Sequence, residues 1–519
     1  METSQATATS ATAQKATAKE WAGLVLLALP MMALSTDLTV LFFALPTISA
    51  DLEPSATQML WITHVYGFLI AGFLVTAGRV GDRIGPRRLL MAGAAAFAVL
   101  SVVAAYSTSP EMLIAARAAL GVAGATLMPS LFSMLRTMFR EENQRRMAIA
   151  IMFSMFTVGG AVGPLLGGAL LEFFWWGSVF LINVPPLVLL LIGAMLLLPG
   201  RSDREKTRID LLSVALSVLG MLAIVYGIQE IAASHENGGD NLWAYALSVI
   251  AGAAVMTLFV LRQRRLSEPL FDLGLVKIRA IAVSLVCLLL MGLSITGIFY
   301  LFTQYLQWVG GFSPLHAGFW TLPYIAVNIL GAVLAPGVAQ RVSAPKAVVV
   351  GILIAGVGAG AFAVATAMGV PAPLLAIVIA VAGLGHGIAG ALVSDLIISG
   401  APEEQAGSAA SAQEVGGELG SALGIAMGGT VSVLIYRSVM GGADLSEIPE
   451  GQTEAAAESV HHGVTTAEGL EIGGQALLET VHDAVSSGQQ VYATAASLVL
   501  VAVAVMVLLT LVRKTSKGR

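Results

Sequence analysis

Residues 78–88 read GRVGDRIGPRR, and they separate two apolar runs, 59–79 and 89–106. Each run approaches the roughly 20 mostly apolar residues that a helix needs to cross a bilayer. Basic loops resist translocation, so Arg79, Arg83, Arg87 and Arg88 fix which side of a membrane this loop occupies. The same sign recurs at every second gap along the chain. Lys15 and Lys19 precede the first run; Arg136, Arg140, Arg145 and Arg146 form the next basic gap, followed by Arg201 to Arg208 and Arg262 to Arg279. Arg341 with Lys346, and then Arg513 to Arg519, complete the series. The gaps around Asp51, Glu111, Glu172, Glu236 and Ser313 carry no lysine or arginine. Of 27 basic residues, only Arg117 and Arg437 fall outside the alternation. The pattern predicts an all-α, multi-pass protein of the cell's inner membrane with both termini cytoplasmic.

A composition of 57% hydrophobic and 11% charged residues excludes an ordinary soluble globule. Roughly fourteen apolar stretches follow one another, too long to be the alternating ten-residue strands of a porin. Charged linkers at 199–210 and 262–280 isolate two of them in the middle. The expected layout is a disordered cytoplasmic tail (1–20), a six-helix bundle (21–200), a linker with two extra spans (201–265), and a second six-helix bundle (266–519). Residues 336–346, PGVAQRVSAPK, echo 78–88 at a comparable place in the second half, as expected of carriers built from related halves around a midplane site. An outer loop is expected at 437–490, with the helical spacing of 469–495 suggesting an amphipathic hairpin at the outer face. His461 and His462 within it read as solvated.

Ionisable groups inside spans are costly, by about 2.5 kcal/mol or more, and usually mark an ion or substrate path. Asp37 lies deep in the first span. Glu414 and Glu418 are four apart in the thirteenth, hence on one helical face. Facing acids would raise each other's pKa, and burial would raise it further, so a proton could leave when a cation arrives. Arg117 is expected to meet a carboxylate or a backbone carbonyl. Asp395 reads as a gate or helix-end contact, and His386 as a packing residue held by hydrogen bonds. Gly159, Gly163 and Gly167 form a smooth stripe for close helix packing, beside a bend at Pro164. In the opening loop Gly78, Gly81 and Gly85 permit a tight turn, with Asp82 placed to cap the following helix or to pair with a cation.

These residues together resemble the major facilitator superfamily, in its drug:proton antiporter branch with fourteen spans. The loop 78–88 is similar to the family's loop motif, and Asp37-Leu-Thr-Val with Ala44-Leu-Pro46 to the signature of that branch. Arg117 and Gly121 match the fourth-span motif, with Leu120 where glutamine is usual. Gly159, Gly163, Pro164, Gly167 and Gly168 resemble the antiporter motif, and 406–420 resembles exporters of quaternary ammonium compounds. The resemblance implies proton-coupled efflux of lipophilic cations by alternating access. It assigns proton coupling to Arg117 and control of bundle rocking to the glycine stripe; Gly78, Asp82, Arg83 and Gly85 of the loop motif, and by its own position Asp395, are expected as gating residues. His64, Asn328 and Gln413 stand where some relatives carry acids, which leaves His64 as a group that could titrate and puts dications in doubt. A dedicated exporter of an endogenous metabolite or self-made antibiotic shares the same motifs. No Gly-Lys-Ser/Thr phosphate loop or metal-ligand spacing occurs, so no enzyme, cofactor, metal or nucleic acid is expected. The expected partners are a small cationic substrate, protons and the lipid bilayer, with the protein acting as a monomer.

Overall fold

The computed structural model describes residues 15–200, 210–234, 242–266, 274–402, 406–443, 445, 448–470 and 473–512. Some side chains inside helices, including those of His64, Asp82, Glu414 and Glu418, lie outside the described set. The first bundle comprises α1 (Ala18–Leu52), α2 (Ala56–Ile84), α3 (Pro86–Ala105), α4 (Pro110–Met138) and α5 (Glu142–Phe173). The sixth span, Ser178–Leu197, follows as α6 (Ser178–Leu181) and α7 (Val184–Leu197), joined by a two-residue turn. Two inserted helices come next, α8 (Leu211–Ser234) and α9 (Leu242–Gln263). The second bundle holds α10 (Arg279–Trp308), α11 (Pro314–Val342), α12 (Ala344–Ala367), α13 (Ala372–Ser399) and α14 (Ala406–Gly442). Its last helix, α17 (Gly474–Val507), is reached through α15 (Glu450–Glu458) and α16 (Val460–Gly469). Among the described residues twelve spans are long and apolar enough to cross a bilayer. α2, bent by 48° between Thr57–Thr63 and Val65–Leu74, makes a thirteenth; α8 contributes the shorter apolar stretch Leu212–Ile224.

Helix starts are written locally. Ser55 accepts the Gln58 backbone N–H while the Gln58 side chain accepts that of Ser55, a reciprocal cap on α2. Ser109 before Pro110 and Ser313 before Pro314 cap α4 and α11 through the hydroxyl alone, accepting the Met112 and His316 backbone N–H groups, and each is followed by proline, where no intrahelical donor is needed. The echo between halves is visible in the backbone. Gly85 joins α2 to α3 at φ +100°, ψ 132°, and Ser343 joins α11 to α12 at φ +82°, ψ 148°. Only glycine adopts that region without strain, so Ser343 stores roughly 1–3 kcal/mol. Ser343→Gly is therefore expected to raise the thermal midpoint of the detergent-solubilised protein by about 2 °C. An unchanged or lowered midpoint would show that the serine is not strained.

The inserted pair is tied at its base. Arg262 donates to both Asp210 oxygens at 3.1 and 2.9 Å, and Gln263 donates to Ser213 at 2.8 Å. Partial burial pushes the Asp210 carboxyl up, but hydrogen bonds from Arg262 and Ser213 outweigh it and hold the group at about 2. The carboxylate is thus charged, and the clasp intact, throughout the physiological range. α8 lies on the seam between the bundles. Val218 fills the space beside Gly72 of α2, and Met221 packs with Phe68 of α2 and with Ala422 and Ala426 of α14.

Contacts between the bundles gather at the face opposite the arginines. Gln304 of α10 donates to the Phe42 carbonyl at 2.8 Å, and Phe42 meets the Tyr300 ring at 5.6 Å. A methyl group at Gly318 of α11 would lie 2.6 Å from the Pro164 carbonyl oxygen of α5, and one at Gly168 would strike the backbone of Leu315. Leu60 fits against Gly429 of α14. Nearer the arginine face, a methyl at Gly337 or Gly390 would meet nothing within 4 Å.

At this closed face α14 continues to Gly442 and α17 begins at Gly474, with Leu477, Val481 and Val485 buried in the bundle core rather than exposed on an amphipathic hairpin. α15 and α16 remain as a short roof. Tyr436 donates to the Ala456 carbonyl at 2.8 Å, and the roof covers a cavity of about 120 Å³ lined by Pro46, Tyr300, Gln304, Trp308 and His461. His461 is accordingly half-buried rather than fully solvated, its ring 6.0 Å from that of Trp308. Burial, and then the neighbouring His462, depress its pKa below the usual histidine value, against the opposing pull of Glu53 and Glu468. A depressed folded pKa means that docking is fully supported above about pH 6.5 and is lost as pH falls through the folded value. Hydrogen-exchange protection across 450–470, taken relative to the intrinsic exchange rate at each pH, should fall below about pH 6.5, and His461→Gln should flatten that fall. An equal loss of protection in both proteins would refute the assignment.

Candidate functional site

Asp37, Arg117 and Asn183 meet inside the first bundle. α1 brings Asp37 to its midpoint, α4 brings Arg117, and the turn between α6 and α7 presents Asn183. Arg117 Nη1 donates to Asp37 Oδ2 at 2.7 Å, and Asn183 Nδ2 donates to Asp37 Oδ1 at 2.7 Å. Arg117 Nε also donates to the Ile62 carbonyl at 3.3 Å. The guanidinium lies 4.3 Å from the Tyr66 ring centroid and 5.8 Å from that of Phe180, so aromatic faces complete its surroundings. Arg117 and Asp37 are each 1% exposed. Both partners expected for Arg117, a carboxylate and a backbone carbonyl, are present.

Among the described residues the two oxygens of Asp37 are held by a cation and an amide from its own bundle. The reason is register: Arg117 of α4 reaches the middle of α1. The two charges compensate each other in place, so removing either side chain would leave the other buried without its counter-charge. Asn183 carries no charge and stands out in no spacing pattern, so its role is not legible in the sequence; the turn between α6 and α7 sets its amide against Asp37. Its own Oδ1 has no partner among the described residues.

The remaining candidates divide by place. Gly159, Gly163 and Gly167 face α1, against Met32, Thr39 and Val40, while Thr36 donates to the Gly159 carbonyl at 3.1 Å. Pro164 and Gly168 meet α11 of the second bundle. Gly78 sits beside Pro129 of α4, Gly85 makes the turn into α3, and Arg83 is exposed at the end of α2. Asp395 is exposed near the arginine-face end of α13, where Ser399 donates to its carbonyl. His64 and Asp82 belong to α2, and Glu414 and Glu418 to α14; their side chains lie outside the described residues. In the second bundle, Asn328 of α11 donates to the Gly383 carbonyl at 3.1 Å and lies 3.3 Å from His386 Nδ1. Gln413 accepts from Ser394 at 2.8 Å.

Two helical bundles closed at one face, with a buried ion pair at mid-span, define a membrane carrier of the two-bundle class. The family model of the Major Facilitator Superfamily matches residues 27–425, and the chain belongs to that superfamily. It is a multi-pass membrane transporter, not an enzyme. The chain is similar to the "Multidrug efflux pump LfrA" of Mycolicibacterium smegmatis, 38% identical over 94% of this chain and 96% of that one. It is also similar to the "Methyl viologen resistance protein SmvA" of Salmonella typhimurium, 31% identical over 94% and 97%. The fold matches that of a bacterial homologue of the human lysosomal transporter Spinster, with a TM-score of 0.66 and 16% identity over 96% and 98% of the two chains.

Proposed function

We propose that this protein is a proton-coupled exporter of lipophilic cations, such as quaternary ammonium biocides and dyes, working by alternating access as a monomer. The observation that carries the reading is the fully buried Asp37–Arg117 pair in a chain of this family. A scaffold needs no ion pair in the middle of its spans, whereas a carrier that exchanges charges does. The names of the two relatives, a multidrug efflux pump and a methyl viologen resistance protein, support efflux of aromatic cations.

In this reading the arginine face is cytoplasmic, in the cell's inner membrane, and the closed face is external. Cargo enters from the arginine face, and Glu414 and Glu418 offer it carboxylates from α14. Protonation of Asp37 loosens its hold on Arg117 and lets α4 shift against α1, which the smooth α5 stripe accommodates. Expelling a monocation against an inside-negative potential costs about 2.3 kcal/mol per 100 mV, and one entering proton returns the same amount. A 1:1 exchange is therefore electroneutral and driven by the pH gradient alone. Inside-out vesicles with an acid interior should accumulate ethidium and lose it when the gradient is collapsed. Absence of gradient-dependent uptake for ethidium and related cations, from folded protein, would overturn the proposal.

A further inference from the structure

The second bundle carries a polar cluster that this cycle does not use. His386 of α13 is half-buried among helices, and its Nδ1 lies 3.3 Å from both Asn328 Nδ2 and the Tyr324 hydroxyl of α11. The orientation of the amide is settled by its second bond. The Gly383 carbonyl can only accept, so the atom 3.1 Å from it is Nδ2, and the other hydrogen of that NH₂ is available to His386. Nδ1 is then the acceptor, and a neutral ring carries its proton on Nε2. Nε2 makes no hydrogen bond among the described residues.

The cluster faces the other bundle through a ladder of rings. The Tyr324 ring is 5.1 Å from that of Phe299, which is 6.5 Å from that of Phe42 on α1. One turn beyond His386, toward the arginine face, Gly390 leaves its side of α13 open. Tyr324, Phe299 and Phe42 are each under 10% exposed and packed on one another, so the rings close the bundles together on the roof side of His386. A flat aromatic molecule entering from the arginine face past Gly390 would end against them with the His386 N–H beside it.

We propose that His386, positioned by Asn328 and Tyr324, is a cargo-recognition residue whose Nε2–H donates to a carbonyl or quinone oxygen of a planar aromatic cation. The assignment rests on the exporter reading and narrows its substrate class. Where a carboxylate at position 328 would favour a second positive charge, the amide instead fixes a donor. Cargo with an oxygen acceptor gains a bond here, and cargo without one gains only ring contact. Leaving a buried donor or acceptor unmatched costs enough to discriminate roughly tenfold between two such ligands.

The test compares binding of doxorubicin, an anthraquinone amine, with that of ethidium, a planar cation without a carbonyl, to purified full-length protein in detergent with no gradient. His386→Leu should weaken doxorubicin binding roughly tenfold and change ethidium binding less than about twofold, and His386→Gln, which restores a donor, should recover most of the doxorubicin affinity. Unchanged doxorubicin affinity, equal losses for both ligands, no recovery by glutamine, or no doxorubicin binding by the wild type would each overturn the proposal. Because binding is read without a gradient, its outcome separates from that of the exporter reading. Vesicles that accumulate ethidium while His386 proves indifferent sink only the recognition site. Discrimination by His386 without gradient-driven uptake sinks only the proton coupling.

Discussion

Asp37→Asn is expected to reduce gradient-driven ethidium uptake into inverted vesicles by about two orders of magnitude, to the level of vesicles lacking the protein. Asparagine is nearly isosteric and keeps an oxygen toward Asn183, so the loss isolates the charge. Arg117 would be left 1% exposed in a spanning helix, with only the Ile62 carbonyl and two ring faces for company. Breaking one side of a buried ion pair costs about 3–5 kcal/mol, and each 1.4 kcal/mol is a factor of ten. That cost falls on the folded state, on the closed state, or on both.

The double variant Asp37→Asn with Arg117→Gln tells these apart. Removing both charges eliminates the uncompensated one, so the thermal midpoint should return most of the way to wild type. Transport should not return, because the group proposed to take the proton is gone. A double variant that pumps normally would reduce the pair to a structural tie. A single Asp37→Asn variant that pumps normally would remove proton coupling from this site altogether.

Much of this arrangement can be read before folding. The arginine loops give the order and direction of the spans, since charge segregation depends on gap position and not on packing. Arg117 was legible as a buried cation needing a partner for the same reason that an unpaired one is costly. Which partner it takes was not legible. Asp37 and Arg117 are 80 residues apart, and only the register of α1 against α4 joins them. Asn183 was hidden because it is uncharged and sits in the short turn between α6 and α7, which no spacing in the sequence marks. The helical spacing in 469–495 was real, but spacing shows that a face is apolar and not what covers it; here the covering is the bundle core. His461 illustrates the converse, a polar residue in an acidic loop that folds into the roof and turns its ring toward Trp308.

Gly318→Leu is expected to abolish transport by holding the closed face apart. At Gly318 even a methyl group would lie 2.6 Å from the Pro164 carbonyl oxygen, and backbone cannot yield as a flexible side chain does. Within a bundle such an intrusion is absorbed as strain of about 1–3 kcal/mol. Between α5 and α11 the two bundles can separate instead, and the same energy shifts the balance of open and closed forms by roughly ten- to a hundredfold. The single cysteine, Cys287, is buried, so a cysteine placed at Ser49 beside the roofed cavity reports on this face with little background. Maleimide labelling of Ser49→Cys in lipid nanodiscs should accelerate about tenfold when Gly318→Leu is added, and ethidium uptake should fall to background. Gly337→Ala is the matched control on the same helix, since nothing lies within 4 Å of the added methyl, and it should alter neither rate. If Gly318→Leu leaves labelling slow while transport fails, the glycine serves folding of α11 and not closure. If transport survives, the seam between Pro164 and Gly318 does not have to close during the cycle.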